Sequence, residues 1–190
     1  DVIKDSIAGN LCRCTGYQPI IKAAKSLRTK KKIDHFYKNK KKTITQLKKI
    51  GNESIVIYKK GKKYFAPRYI PELKKILKKN INSQFLSGGT DLSLSVTKER
   101  KDINSIIYIN SIKELNYINN NKGFIEVGAA TPLTKFELYI KKYYPDFNKI
   151  LKRYGSVQIR NVATVAGNIA TASPIGDNLP LLLALDSKVV

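Results

Sequence analysis

The sequence predicts a mixed α/β (α+β) fold, preceded by a short helical segment and a basic linker. After Tyr64, short apolar runs bounded by Gly or polar residues alternate with helical patterns, which is typical of mixed α/β architecture. Residues 1–29 show helical spacing on both sides of a loop that contains two cysteines. Residues 30–63 are dense in Lys. We therefore expect three parts, 1–29, 30–63 and 64–190.

The first part is predicted to be two helices around a tight loop. Ile3 and Ile7 are four residues apart, on one face of a helix, and Gly9 tolerates the left-handed backbone at which helices end. Pro19 suits the first turn of a second helix. Four apolar residues then recur at helical spacing: Ile20, Ala23, Ala24 and Leu27.

The second part is predicted to be a solvated linker. It contains a weak helical pattern near residues 43–50 and a short strand over 54–58. Its Lys run indicates a solvent-exposed face rather than a binding site. His35, the only histidine, has no neighbouring cluster of metal-ligand residues in the sequence. We expect it to be exposed and not to be a ligand.

The third part alternates between strands and helices. Helices are predicted over 70–78, 133–142 and 145–154, and strands over 84–87, 106–109 and 124–127. The apolar segment 179–190 is predicted to be a core strand that the end of the chain interrupts. Because the chain also starts at Asp1 and contains no Met, we expect it to be a fragment of a longer protein.

The composition is strongly basic, with a formal net charge of +22. Such a charge ordinarily indicates binding to nucleic acid or to an anionic surface. However, 30 of the 36 basic residues are Lys, and Lys, Ile and Asn are abundant together, as an A/T-rich coding sequence would produce. Arg is preferred for bidentate contacts to phosphate and guanine. Compositional drift is therefore favoured, and a basic nucleic-acid-binding module is the alternative.

Membrane insertion and disulfide bonding are not predicted. The longest apolar run, 181–185, is far shorter than the ~20 residues that a transmembrane helix needs. Cys12 and Cys14 are too few for a disulfide framework and too close in sequence for an easy disulfide. We expect a reducing, cytoplasmic location.

The segment from residue 158 to residue 180 lacks Lys and is crowded with small residues. Small side chains let a backbone approach a ligand closely, and hydroxyl, amide and carboxylate groups lie among them. A loop joining two strands and a ligand site are both consistent with this pattern.

A second segment of small residues, LSGGTDLSL, starts at Leu86. A strand that enters a Gly-Gly turn presents the successive N–H groups of residues 87–91 in a concave arrangement, which favours an anion such as a pyrophosphate. The segment is neither a Walker A loop nor GxGxxG. Two such segments in one chain are better evidence of a dinucleotide site than either alone, because an extended dinucleotide needs two separate cradles.

Cys12 and Cys14 flank Arg13 in a sharp loop ahead of a helix. Two thiolates at this spacing can reach one metal centre, and the N-terminus of the helix near residues 15–18 would stabilise their charge. Zinc and iron–sulfur sites usually need four ligands. A metal site and a pair of inert thiols therefore both remain open.

Four segments resemble the xanthine dehydrogenase (molybdenum hydroxylase) family. NLCRCTGYQPI from Asn10 resembles its iron–sulfur helical-domain signature. FLSGGTDLSLSVTK from Phe85, GAATPLTKFE from Gly128 and RYGSVQIRNVATVAGNIATASPIGDNLPLLLAL from Arg153 resemble its flavin domain, in the same order. The resemblance implies a helical [2Fe–2S] segment over 1–29 and an FAD-binding domain of the PCMH (vanillyl-alcohol-oxidase-like) type over 64–190, incomplete at its C-terminus. A chain that carries both the [2Fe–2S] segment and the FAD-binding domain resembles the iron–sulfur/FAD subunit of a xanthine dehydrogenase.

The resemblance also implies roles for individual residues. The flavin diphosphate would be wrapped by Leu86, Ser87, Gly88, Gly89, Thr90 and Asp91, and Tyr154 stands where the family places an aromatic residue beside the cofactor. The second cofactor-binding loop would contribute Thr164, Gly167, Asn168, Thr171, Gly176 and Asp177. Cys12 and Cys14 match two of four [2Fe–2S] ligands, and the other two, in a CxxC, are expected upstream of Asp1. No residue is expected to act as a general acid or base.

The implied function is that of an electron-transfer flavoprotein subunit. A purine would be hydroxylated at a molybdopterin centre on a partner chain, and electrons would pass through iron–sulfur clusters to FAD and then to NAD+. Another molybdenum hydroxylase, of the aldehyde, carbon monoxide or nicotinate type, is the alternative within the family, because flavin and cluster domains do not touch the organic substrate.

Overall fold

The computed structural model describes residues 2–27, 33–51, 53–173 and 176–190. The chain divides into two compact units, Asp1–Glu53 and Ser54–Val190. The fold of the second unit is mixed α/β, as the sequence predicts.

The first unit contains three helices: α1 (Val2–Ile7), α2 (Gln18–Ser26) and α3 (His35–Lys49). The two helices predicted around the cysteine loop are confirmed. The weak helix predicted near residues 43–50 is wrong in extent, because α3 starts eight residues earlier. The carboxylate of Asp34 accepts a hydrogen bond from the Tyr37 N–H at 2.7 Å and so caps α3. Lys is also a good helix former, so a Lys-dense segment can be helical. His35 is exposed, as predicted.

The second unit begins with a four-stranded sheet in the order β1–β2–β4–β3. Its strands are β1 (Ile55–Lys59), β2 (Lys62–Ala66), β3 (Gln84–Leu86) and β4 (Ser105–Tyr108). A tight turn at Lys60 and Gly61, both with positive φ, joins β1 and β2 into an antiparallel hairpin. Strand β4 runs parallel to both β2 and β3. The helices α4 (Ile70–Lys79) and α5 (Leu92–Thr97) precede and follow β3 in the chain.

A mostly helical region follows the sheet. It contains a short 3₁₀ helix (Lys113–Leu115), the antiparallel pair β5 (Ile118–Asn121) and β6 (Phe124–Val127), and the helices α6 (Leu133–Ile140), α7 (Pro145–Arg153), α8 (Val157–Arg160), α9 (Val165–Thr171) and α10 (Asn178–Ala184). The core of this region consists of buried apolar residues from α6, α7, the turn before α9, and α9: Leu133, Phe136, Ile140, Phe147, Leu151, Ala163 and Val165. The rings of Phe136 and Phe147 meet edge to face at 5.5 Å.

One alternative and one prediction for the end of the chain are wrong. The segment 158–180 is not a loop between two strands, since α8, α9 and the start of α10 occupy most of its described residues. The apolar segment 179–190 contains helix α10 instead of a core strand. Leu181 and Leu182 pack against the core while Leu183 is 81% exposed, so one side of the helix is buried. A short apolar run does not distinguish a buried strand from such a helix.

Among the described residues, no helix has the length and apolar character needed to cross a membrane.

Candidate functional site

The first small-residue segment forms the turn between β3 and α5, and we call residues 87–91 the first turn. The Ile109 N–H donates to the Leu86 carbonyl at 3.0 Å, and the Ser87 hydroxyl donates to Asn110 Oδ1 at 2.5 Å, so β4 and the chain after it hold the start of the turn. Gly89 adopts a left-handed backbone with φ 71°. Within the described part of the chain, none of the N–H groups of residues 87–91 donates a hydrogen bond. Five successive donors are therefore available to an anion.

The second small-residue segment contains helix α9 and the chain on both sides of it. Thr164 caps α9, since its hydroxyl oxygen accepts the Gly167 N–H at 3.1 Å. The Leu133 N–H donates to the Ala163 carbonyl at 2.8 Å, and the Val165 N–H donates to Thr131 at 3.3 Å. These bonds hold the start of α9 against the strand-like chain that leads into α6.

Gly88 and Val162 bring the two segments into direct contact. A Cβ built on Gly88 would lie 2.0 Å from the carbonyl oxygen of Val162 and 2.8 Å from the Ala163 nitrogen. Only a residue without a side chain allows the two backbones to approach so closely. The first turn and the start of α9 are thus parts of one surface.

Tyr154 contacts the second segment. It follows α7 directly and is half-buried against the core. The Asn168 side-chain amide donates to the Tyr154 hydroxyl at 3.0 Å. Burial raises the pKa of the Tyr154 phenol, and the nearby negative charges of Asp177 and Asp91 raise it further. Acidic residues from both segments therefore influence the proton of this one phenol.

Two buried Asn side chains of the second segment have polar atoms that no described residue satisfies. Asn168 is 8% exposed and Asn178 is fully buried, yet Asn168 Oδ1 and both polar atoms of the Asn178 amide have no hydrogen-bond partner among the described residues. Gly176 lies over the Asn168 amide, since a Cβ built on Gly176 would come within 3.3 Å of Asn168 Nδ2. Unsatisfied buried polar atoms are costly, so a bound group that supplies donors and acceptors fits here.

The remaining predicted flavin residues lie around these groups. Leu86, the residue before the first turn, and Thr90, within it, are half-buried. Thr171 is exposed on the last turn of α9, and its hydroxyl donates to the Gly167 carbonyl at 3.1 Å. The structure thus places the predicted residues of the two segments on the turn after β3 and along α9 and the chain that follows it.

Sequence reasoning missed two buried residues at this site, Arg160 and Asn178. Arg160 is 2% exposed, and its guanidinium donates hydrogen bonds to backbone carbonyls around Tyr154. A signal for it existed, because Arg160 is an Arg in a Lys-free segment of a chain with 30 Lys. No comparable signal marked Asn178, since an Asn at the start of a helix is common.

The cysteine loop lies in the first unit, between α1 and α2. The Sγ atoms of Cys12 and Cys14 are 3.2 Å apart, and Cys12 Sγ is 3.3 Å from the Thr15 hydroxyl. The hydrogen bonds from Thr15 and Cys14 lower the pKa of Cys12 to about 7. The described residues contain no group of three or more His, Cys, Asp or Glu side chains that could hold a metal. The pair fits two positions of a four-thiolate [2Fe–2S] ligand set.

Known proteins have sequences similar to that of this chain. The nicotinate dehydrogenase FAD-subunit of Eubacterium barkeri is 33% identical over 131 residues, which are 67% of this chain and 44% of that protein. The xanthine dehydrogenase of Emericella nidulans is 25% identical over 243 aligned residues that include 99% of this chain and 18% of that protein. The chain therefore spans less than half the length of these relatives.

A solved structure has the same fold. The carbon monoxide dehydrogenase of Hydrogenophaga pseudoflava superimposes with a TM-score of 0.55 and 25% identity, over 62% of this chain and 42% of the matched chain. Residues 58–190 match the family described as the FAD binding domain in molybdopterin dehydrogenase. That match includes the first turn, Tyr154 and the whole of α9, and we conclude that the chain belongs to this family of FAD-binding domains, which are parts of oxidoreductases.

Proposed function

We propose that the chain is the iron–sulfur/FAD electron-transfer part of a molybdenum hydroxylase of the xanthine dehydrogenase type. The observation that carries this proposal is the contact of the two small-residue segments at Gly88 and Val162, with Tyr154 hydrogen-bonded to Asn168 of the second segment. A dinucleotide that bridges two cradles matches this arrangement.

The groups present fit FAD. The free N–H groups of residues 87–91 suit the diphosphate, because successive backbone donors form an anion-binding concavity. Thr164, Gly167, Asn168, Thr171, Gly176 and Asp177 would supply the second cradle, and Leu86 and Tyr154 would supply apolar contact. When bound, FAD supplies redox chemistry that the side chains of this chain lack. The residues themselves bind, orient and shield the cofactor.

Cys12 and Cys14 are proposed as two ligands of a [2Fe–2S] cluster, with residues 1–29 as part of the domain that holds it. Their 3.2 Å separation supports a shared metal centre, since both thiols already point to one place. Residues 30–63 would connect this domain to the FAD-binding domain over 64–190.

Within the family, the extent of the similarity favours the xanthine dehydrogenase type over the nicotinate type. The alignment with the Emericella nidulans xanthine dehydrogenase includes 99% of this chain, and so extends to the cysteine loop. The match to the nicotinate dehydrogenase FAD-subunit includes only 67% of it. A molybdenum-binding partner and NAD+ as electron acceptor belong to the same proposal, and the aldehyde, carbon monoxide and nicotinate types are the alternatives.

Two measurements test the proposal. The purified protein should show the visible absorbance of flavin with one FAD per chain, and iron that depends on the cysteines. A protein without flavin that is retained on DNA in a salt-sensitive manner would contradict it and favour the nucleic-acid-binding alternative. Turnover of xanthine, an aldehyde and nicotinate by the assembled enzyme, with and without NAD+, would identify the substrate class and acceptor.

A further inference from the structure

Arg160 is a buried cation that ties together the backbone around Tyr154. It extends from α8, is 2% exposed, and donates from Nη1 to the carbonyls of Lys152 at 3.1 Å, Tyr154 at 3.0 Å and Gly155 at 3.4 Å. These carbonyls lie at the end of α7, where backbone acceptors lack intrahelical partners and the helix dipole is negative. A guanidinium is well matched to this position.

Glu137 on α6 holds the other side of the guanidinium. The Arg160 Nε and Glu137 Oε2 atoms are 3.2 Å apart, which makes them an ion pair without hydrogen-bond alignment, and the Glu137 carboxylate is itself largely buried. Asn148 on α7 donates from Nδ2 to the Glu137 carbonyl at 2.9 Å. Arg160 and Glu137 thus join α6, α7 and α8 through polar contacts inside the core.

A buried ion pair of this kind is weak evidence for stabilisation. The desolvation of both charges offsets much of their attraction, and well-packed apolar residues often do as well. What the pair supplies is a definite geometry, because several directional contacts must be satisfied at once. The residue whose geometry it defines is Tyr154.

Tyr154 is held at both of its ends. Its carbonyl accepts from Arg160, and its phenol accepts from the Asn168 side chain at 3.0 Å. Its backbone leaves the helix at this point, with φ −74° and ψ 112°. The Tyr154 N–H also donates to the carbonyls of Ile150 and Leu151, at 3.1 Å each, so Arg160 adds the contact that fixes the carbonyl side of Tyr154 where the chain leaves α7.

We propose that Arg160 is a positioning residue for the flavin site, which acts by fixing the backbone from which the Tyr154 ring reaches the cofactor. The inference rests on the proposed function, since it takes Tyr154 as a flavin contact. Lys cannot replace Arg160 fully, because Nη1 of the guanidinium faces the three carbonyls while Nε faces Glu137, and the single nitrogen of an ammonium cannot occupy both places. The chain keeps Arg at this buried position although 30 of its 36 basic residues are Lys.

The test compares FAD binding and flavin fluorescence in the full chain with Arg160→Gln, Arg160→Lys, Tyr154→Ala and the double variant Arg160→Gln/Tyr154→Ala. Arg160→Gln should raise the Kd for FAD about tenfold, which corresponds to a loss of ~1.4 kcal/mol. It should also raise the fluorescence of bound flavin, since a displaced Tyr ring quenches less. Arg160→Lys should give intermediate values. The double variant should bind no more weakly than Tyr154→Ala, because the two residues act as one unit.

Arg153→Gln is the matched control, since Arg153 adjoins Tyr154 in the sequence but is exposed. It removes the same charge and should leave the Kd and the fluorescence unchanged. If Arg160→Gln does not fold, Glu137→Gln tests the same arrangement with a neutral side chain of similar size. It should raise the Kd in the wild-type background and have no effect in the Tyr154→Ala background.

Three outcomes separate this inference from the proposed function. Additive effects of Arg160→Gln and Tyr154→Ala on the Kd would overturn the positioning role and leave FAD binding intact. Wild-type affinity in Tyr154→Ala would overturn the role of Tyr154 and with it the role of Arg160. Absence of FAD binding by the wild-type chain would overturn the proposed function itself.

Discussion

Gly88 lies directly against the carbonyl of Val162, so that the turn after β3 and the start of α9 share a surface. A Cβ at Gly88 would overlap the Val162 carbonyl oxygen at 2.0 Å and its carbon at 2.5 Å. Both groups are backbone, and neither can rotate away as a side chain could. The two halves of the candidate FAD site therefore meet at Gly88, and this contact is possible only because Gly88 has no side chain.

Replacing Gly88 by Ala should separate these two halves. We expect Gly88→Ala to lower the free energy of unfolding by about 1–3 kcal/mol, as overpacking does, and to weaken FAD binding. Chemical denaturation and FAD titration measure the two effects. Gly51→Ala is the control, because a Cβ there would meet nothing closer than Glu53 Cγ at 3.9 Å. Unchanged stability and FAD affinity in Gly88→Ala would show that the two segments do not pack in this way.

Removing the cap of α9 should loosen the second cradle. Thr164 is 3% exposed and its hydroxyl oxygen accepts the Gly167 N–H at 3.1 Å. Thr164→Ala should cost ~1 kcal/mol of stability, the usual value for loss of an N-cap, and Thr164→Ser should recover most of it. Urea denaturation of the three proteins measures this. Equal losses in the Ala and Ser variants would mean that the methyl group, not the cap, is responsible.

The phenol of Tyr154 should ionise only at high pH. Burial, then the charges of Asp177 and Asp91, raises its pKa above the ordinary value of 10.0. The folded protein therefore holds the proton more tightly than the unfolded chain, and the resulting stability is present below pH 10 and declines as the pH rises through the folded pKa. An ultraviolet difference titration of wild type against Tyr154→Phe isolates this group.

Asp177→Asn provides the matching test of the electrostatic cause. The pKa of Tyr154 should fall in this variant but stay above its ordinary value, because burial is the larger cause. The same difference titration, made in the Asp177→Asn background, measures the change. A pKa that does not move would place Asp177 too far from the phenol to belong to the same site.

The cysteines should control iron and leave FAD unaffected. Cys12 and Cys14 lie in the first compact unit, and the two flavin-binding segments lie in the second. Cys12→Ser and Cys14→Ser should each remove the iron of the cluster that the loop helps to bind, and the FAD content should stay at the wild-type level. Iron analysis and the flavin spectrum measure both, with Ser26→Ala on α2 as the control. Full iron content in either Cys variant would exclude that residue as a ligand.

The elements that the sequence predicted well carry strong local signals. The helix predicted over 70–78 is α4 (Ile70–Lys79), and the strand predicted over 124–127 is β6 (Phe124–Val127). Strand β2 was missed, since it begins with two Lys and depends on pairing with β4, which lies far along the chain. Helix α10 was mistaken for a strand, because which of its Leu residues are buried depends on the core that it meets.

The residues of the candidate site likewise fall into those that local sequence identified and those that only tertiary contacts revealed. Residue types and their spacing identified the first turn, the small-residue segment and the cysteine pair without any structure. Arg160 and Asn178 escaped, because their importance lies in burial and in partners that local sequence does not reveal. Val162 escaped for a similar reason, since it contributes a backbone carbonyl and not a side chain.

By itself, the sequence determined that two separate small-residue segments and one cysteine loop occur in a fixed order, with the chemical groups that a dinucleotide and a metal need. Only the tertiary structure decided that the two segments meet at Gly88 and Val162, that Tyr154 contacts the second of them, and that Arg160 secures the end of α7. The physical reason is that hydrogen-bond donors, carboxylates and the absence of a side chain at Gly belong to single residues and can be identified in the sequence. Their convergence comes from helix packing and from backbone contacts between parts of the chain that are far apart in sequence.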